Sequence, residues 1–159
     1  ERQKAIIDVA FVHLARGDYE NALKNLRSVI TTKEKSTTKS VVDASVGYCL
    51  AHLNTDLGQA ETLVQDAIKR SPSEPLFGYF LGLVRFKQGR LAEAKELIEK
   101  SIVEEPDPKL PYPGERAYVL SQVLKALGDA AACRAELEKA KSASGRWAEL
   151  AAKELTPAA

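Results

Sequence analysis

The chain has 159 residues, 45% hydrophobic and 28% charged, with a formal net charge of +1. That composition excludes a disordered polyelectrolyte, and the near-neutral charge argues against a polyanion binder, which needs clustered Lys and Arg. No window approaches the roughly 18 uninterrupted apolar residues of a membrane span. Apolar periodicity predicts a first helix over about 3–16, ended by Gly17, and a second over about 19–31. The polar, cationic stretch 31–39 reads as a solvated loop. Ser40 with Asp43 then reads as a capping box opening a helix over about 40–54, and another follows at about 58–70. Pro75 suits the start of a helix over about 75–88, where a missing N–H costs little, and the next runs over about 91–104. "PDPKLPYP" (106–113) holds four prolines in eight residues and reads as an extended connection. It contains Pro108-x-x-Pro111, a candidate ligand for proline-reading domains. Helices over about 114–127 and 130–143 follow. Ser144 is expected to cap a last helix, about 145–155, that sets Trp147, Leu150, Ala151 and Leu155 on one face.

The turns repeat. "GDYENAL" (17–23) meets "TDLGQAETL" (55–63), "GRLAEAKEL" (89–97) and "GDAAACRAEL" (128–137). Each carries a small residue followed four later by an aliphatic one: Ala22 and Leu26, Ala60 and Val64, Ala94 and Ile98, Cys133 and Leu137. The small residues lie 38, 34 and 39 positions apart. A period near 34 with helix-scale content means stacked helical hairpins. With Leu81-Gly82, Gly89, Ala94, Ile98 and Pro106 in the third unit, and Gly47, Leu50, Ala60, Ala67 and Pro72 in the second, the chain resembles the tetratricopeptide repeat family. The first unit supports this with Ala10, Gly17, Asp18, Tyr19, Ala22 and Leu26. The fourth adds Ser121, Leu124, Gly128, Asp129, Cys133 and Ala140. No unit has the family's early Trp, and His13 and Arg85 stand where Tyr is usual.

The resemblance implies an all-α fold, a right-handed superhelical α-solenoid of stacked antiparallel helix pairs. It implies a single domain over 1–155, with repeats at about 3–31, 40–71, 75–105 and 114–143, a capping helix, and a disordered tail at 156–159. Trp147 is expected to anchor the cap on the last hairpin, because repeat stacks need a terminal element with a wet outer face. In this family the first helices line a concave groove. The matching positions are Lys4, Ile7, Phe11 and Leu14 in the first repeat, and Val41, Ala44, Tyr48, Ala51 and His52 in the second. The third supplies Leu76, Tyr79, Leu83, Phe86 and Lys87, and the fourth Glu115, Tyr118, Gln122 and Lys125. That stripe is largely apolar and aromatic, so a partner peptide or helix is expected in it.

Alternative readings stay open at this point. The groove can be filled by the proline-rich loop, by the last helix or by a second copy, as in a self-associating or permanently occupied subunit or assembly factor of a larger complex. Parts of bacterial secretion and motility machines offer the analogy. An RNA-reading helical repeat is the remote alternative, disfavoured by the few cations in the stripe. The family's carboxylate-clamp members hold acidic chaperone tails with Lys, Asn and Arg at positions filled here by Ile7, Phe11, Ser45, Leu76 and Phe80, so that activity is not expected.

No catalytic constellation is found. His13 and His52 belong to no metal motif, and each reads as a helix residue, His13 in packing and His52 at the groove edge. "STTK" (36–39) matches a serine-acylase tetrad by letter but lacks its partner motifs. Gly78-x-x-x-Gly82 reads as a close-packing stripe, not as a membrane dimer motif. Cys49 and Cys133 read as buried thiols in a reduced compartment. No enzyme activity, metal or cofactor is expected. The chain has no Met and starts at Glu1, so it reads as an excised or processed piece. Its expected location is the cytoplasm, or the periplasm if a signal segment has been removed.

Overall fold

The computed structural model describes residues 1–29, 36–106 and 113–157. Among these, nine α-helices occur and no strand. They pair as antiparallel hairpins: α1 (Arg2–Arg16) with α2 (Tyr19–Arg27), α3 (Thr37–His52) with α4 (Leu57–Arg70), α5 (Pro75–Lys87) with α6 (Leu91–Glu104), and α7 (Glu115–Leu127) with α8 (Ala130–Ser142). A single helix, α9 (Arg146–Leu155), packs on the last pair. Each hairpin stacks on the next through its first helix, so α3 meets α2, α5 meets α4 and α7 meets α6.

Local chemistry explains the hairpin turns. Gly17 and Gly128 close their helices in the left-handed conformation, with φ of 74° and 84°. The next residue, Asp18 or Asp129, then accepts from the backbone N–H of Asn21 or Ala132 and caps the returning helix. The second hairpin has no glycine at this turn. Asn54 and Asp56 take positive φ instead, which their short polar side chains tolerate best among residues with a Cβ. Pro75 stands at the start of α5 as its fixed φ requires.

Three boundaries differ from the sequence expectation. Helix α3 begins at Thr37 rather than 40, because Ser36 and not Ser40 accepts from the Lys39 N–H; Ser40 is buried inside the helix. Helix α2 stops at Arg27, where Ser28 turns its hydroxyl back onto the Asn25 carbonyl. The N-cap of α9 is Gly145, and Ser144 gives no side-chain cap. The proline motif Pro108–Pro111 lies outside the described residues, as do most of the 31–39 loop and the last two residues of the expected tail.

The core is a continuous ridge of small-against-large contacts. Ala22, Ala60 and Ala94 are fully buried, as are the aliphatic Val64 and Ile98 four residues after the last two. They face Ala10, Gly47 and Gly82 on the first helices, which lets each pair approach closely. A Cβ on Gly47 would stand 2.5 Å from a Val64 methyl and 2.9 Å from the Ala60 carbonyl oxygen. Gly47→Ala is therefore expected to force α3 and α4 apart and to lower stability by about 2 kcal/mol despite its better helix propensity. Urea unfolding of the variant measures this.

Two departures from the family pattern have physical reasons. Arg85, only 6% exposed where Tyr is usual, pairs with Glu61 of α4 at 2.5 Å and with Glu93 of α6 at 3.2 Å. A hydrogen bond from Gln88, together with Arg85, holds the Glu61 carboxyl below its ordinary range. His13 bonds Asp18 at 3.0 Å across the first turn.

Candidate functional site

The first helices bring their stripe residues together more tightly than a groove requires. Glu115, at the start of α7, is fully buried. Its Oε1 accepts a hydrogen bond from the Tyr48 hydroxyl of α3, and its Oε2 accepts one from the Tyr79 hydroxyl of α5, both at 2.5 Å. One carboxylate thus ties three successive hairpins. Charge-assisted bonds of this kind are the stronger class, and they offset part of the cost of burying the charge. Burial, with Glu115 beside it, pushes the Tyr79 hydroxyl well above its ordinary pKa and keeps it protonated as a donor.

A second layer closes over this floor. The His52 ring stacks on Tyr19 with centroids 4.2 Å apart and planes 7° from parallel, and its Nε2 lies 3.7 Å from Glu115 Oε1. Trp147 of α9 comes within 5.8 Å of the His52 ring and 5.4 Å of the Tyr118 ring. Arg146 lies over Trp147 at 4.4 Å and donates to the Tyr19 hydroxyl at 3.2 Å. Tyr118 donates to Glu154 at 2.8 Å, and Gln122 reaches the same carboxylate at 3.1 Å. Burial raises Tyr19 to about 12, with Glu115 adding and Arg146 opposing. Tyr118 also rises to about 12, from burial and from its bond to Glu154. Helix α9 therefore does more than cap α8: through Arg146 and Trp147 it reaches the first two hairpins.

The expectation of an open aromatic trough is corrected at its centre. Leu14, Ala44, Tyr48, Tyr79 and Leu83 are buried, because Glu115 draws the two tyrosine hydroxyls inward. Ile7, Phe11, Val41, Leu76, Phe86, Tyr118, Gln122 and His52 are half-buried, and Lys125 is exposed. His52 stands in the middle of the ring cluster and not at the groove edge, its side chain 8% exposed. A signal for the cluster was present in the sequence: one acid, Glu115, in a stripe otherwise lined by tyrosines. Apart from the stripe, a hollow of about 660 Å³ lies between α6, α7 and α8, walled by Ile102, Val103, Ala117 and Leu120. Sequence reasoning did not anticipate it, since it arises from the spread of α6 and α8.

Among the described residues no group of His, Cys, Asp and Glu is arranged to hold a metal. Cys49 and Cys133 are free buried thiols, and burial pushes Cys49 up to about 12. Among the described residues no helix is long and apolar enough to cross a membrane.

The tetratricopeptide repeat family model matches residues 75–100 and 115–139, which are hairpins α5/α6 and α7/α8. By that match these two hairpins are tetratricopeptide repeats. It is 29% identical over 92 residues to the TPR repeat-containing protein PA4667 of Pseudomonas aeruginosa. That stretch is 58% of this chain and 15% of that much longer protein. Solved structures share the fold at lower identity. TTC0263, a thermophilic tetratricopeptide repeat protein of Thermus thermophilus, superposes with a TM-score of 0.69 at 18% identity, covering 96% of this chain and 81% of that one. MamA of Desulfovibrio magneticus gives 0.60 at 14%, covering 97% and 78%. The first such domain of Spaghetti (RPAP3), bound to the HSP90 peptide SRMEEVD, gives 0.57 at 18%, covering 79% and 93%.

Proposed function

We propose that the chain is a non-catalytic protein–protein interaction module whose concave stripe is occupied at its centre by its own side chains, and which meets its partners on surfaces around that centre. The Tyr48–Glu115–Tyr79 tie carries this reading, with Trp147 and Arg146 laid over it. Anchors that bind a partner must be free to be desolvated by it, and here the two central rings are desolvated by the fold itself. An acidic-tail peptide of the sort held by the Spaghetti domain is not proposed as the ligand, since Ile7, Phe11, Ser45, Leu76 and Phe80 offer it no cation.

A second reading is a partner helix or extended segment docked along the stripe. The half-buried state of Ile7, Phe11, Val41, Leu76 and Phe86 favours it. One experiment separates the two. A photo-crosslinking residue is placed at Leu76 or Phe86 in the stripe, or at Val103 or Leu127, which are 79% and 45% exposed outside it. In the native cell, protein adducts are expected from Val103 or Leu127 and not from the stripe. Adducts confined to Leu76 and Phe86 would overturn the first reading in favour of the second.

A further inference from the structure

The three internal stacking interfaces share one register. On the first helices, Ala10, Gly47, Gly82 and Ser121 are equivalent positions, the residues where each first helix meets its own partner. Counting from them, the residue one before is Val9, Val46, Leu81 and Leu120, and the residue two after is Val12, Cys49, Val84 and Val123. In hairpins two to four, whose first helices pack on the second helix of the preceding hairpin, Val46 and Leu120 are buried, Leu81 is half-buried, and Cys49, Val84 and Val123 are fully buried. On α1, against whose outer face no described helix packs, Val9 and Val12 are each 49% exposed. Ala5, one turn earlier on the same face, is exposed too, whereas its equivalents Val42 and Phe77 are buried and Arg116 is half-buried.

The two ends of the stack are therefore written differently. At the far end α9 buries Trp147 and Ala151 and turns Glu149 and Lys153 to water. That is how a terminal element is closed. At the near end α1 keeps core chemistry at Ala5, Val9 and Val12, spaced as one helix face. From this continuity with the internal interfaces we infer that the outer face of α1 is a stacking surface for one further hairpin of the same repeat. Its second helix would pack on α1 as α2 packs on α3. That helix would carry a small residue at the register of Ala22, Ala60 and Ala94, with an aliphatic residue four later. A second copy joined end to end does not suit the surface, since the copy's far end would offer the charged face of α9. The surface lies apart from the concave stripe and does not depend on what that stripe binds.

The test places a copy of residues 37–74 ahead of Gln3, the equivalent of Pro75, so that a duplicate of α4 precedes α1 across its native four-residue connection, as α4 precedes α5. Hydrogen exchange is read in α1 of the unfused chain, the fusion, and both carrying Val9→Lys/Val12→Lys. Fusion is expected to slow exchange in α1 by about tenfold, and the double substitution to abolish that gain while changing the unfused chain by less than about twofold. Unchanged α1 exchange on fusion would overturn the inference. So would an unfused chain that is a dimer in solution with α1 protected, and that is made monomeric by the two lysines; the surface would then belong to a second copy.

Discussion

Replacing Glu115 with alanine is expected to destabilise the protein by about 3 kcal/mol, among the largest effects of any single polar substitution in it. Tyr48 and Tyr79 are 0% and 1% exposed, and each loses the carboxylate that its hydroxyl donates to. A buried hydroxyl that loses an acceptor costs about 1–3 kcal/mol, and both tyrosines lose the one that the carboxylate supplies. Relief of the buried charge offsets part of that sum. The same logic makes the converse double variant, Tyr48→Phe/Tyr79→Phe, equally damaging, because the carboxylate then keeps its burial and loses both donors. Removing all three groups in Tyr48→Phe/Tyr79→Phe/Glu115→Leu takes away both donors together with their acceptor and is expected to recover much of the loss. Urea unfolding of the three variants measures this. A loss below about 1 kcal/mol for Glu115→Ala would mean that the tie between the hairpins contributes little.

The period and the register were legible in the sequence because they rest on local chemistry. Gly17 and Gly128 end helices in the only conformation that frees the chain to turn back, and Ala22, Ala60 and Ala94 mark where paired helices touch. These features repeat every 34 to 39 residues, and repetition gives each weak mark its weight. The interior of the hollow was not legible in the same way. Whether Tyr48 points into water or onto Glu115 depends on how steeply successive hairpins rotate, since the two residues are 67 positions apart. Contacts between hairpins such as Arg85 with Glu61, where Arg85 replaces a usual aromatic, have no local signature. Trp147 shows the same limit. Its role as an anchor followed from the amphipathic pattern of 146–155, but its reach to His52, nearly a hundred residues earlier, followed only from the curvature.

Trp147→Ala is expected to cost about 3 kcal/mol and to release α9 from the first two hairpins. Trp147 is 9% exposed and fills the space bounded by His52, Tyr118 and the Arg146 guanidinium, so its loss leaves a cavity where α9 meets the earlier hairpins. The tyrosines beside it supply an independent reading. Tyr19 and Tyr118 titrate at about 12 in the folded chain, chiefly through burial, against an ordinary value near 10. A folded pKa above the unfolded one means that this part of the stability is complete below about pH 10 and drains away as the pH climbs through about 12. Without Trp147 water reaches both rings. Their tyrosinate absorbance should then appear nearer pH 10, and the variant should lose proportionately less of its stability between pH 10 and 12 than the parent. Trp147→Phe keeps a ring in the gap and should fall between the two. If instead both tyrosines titrate in Trp147→Ala as they do in the parent, and α9 keeps its exchange protection, then Arg146 and Glu154 hold the helix across the hollow and the indole merely rests on it.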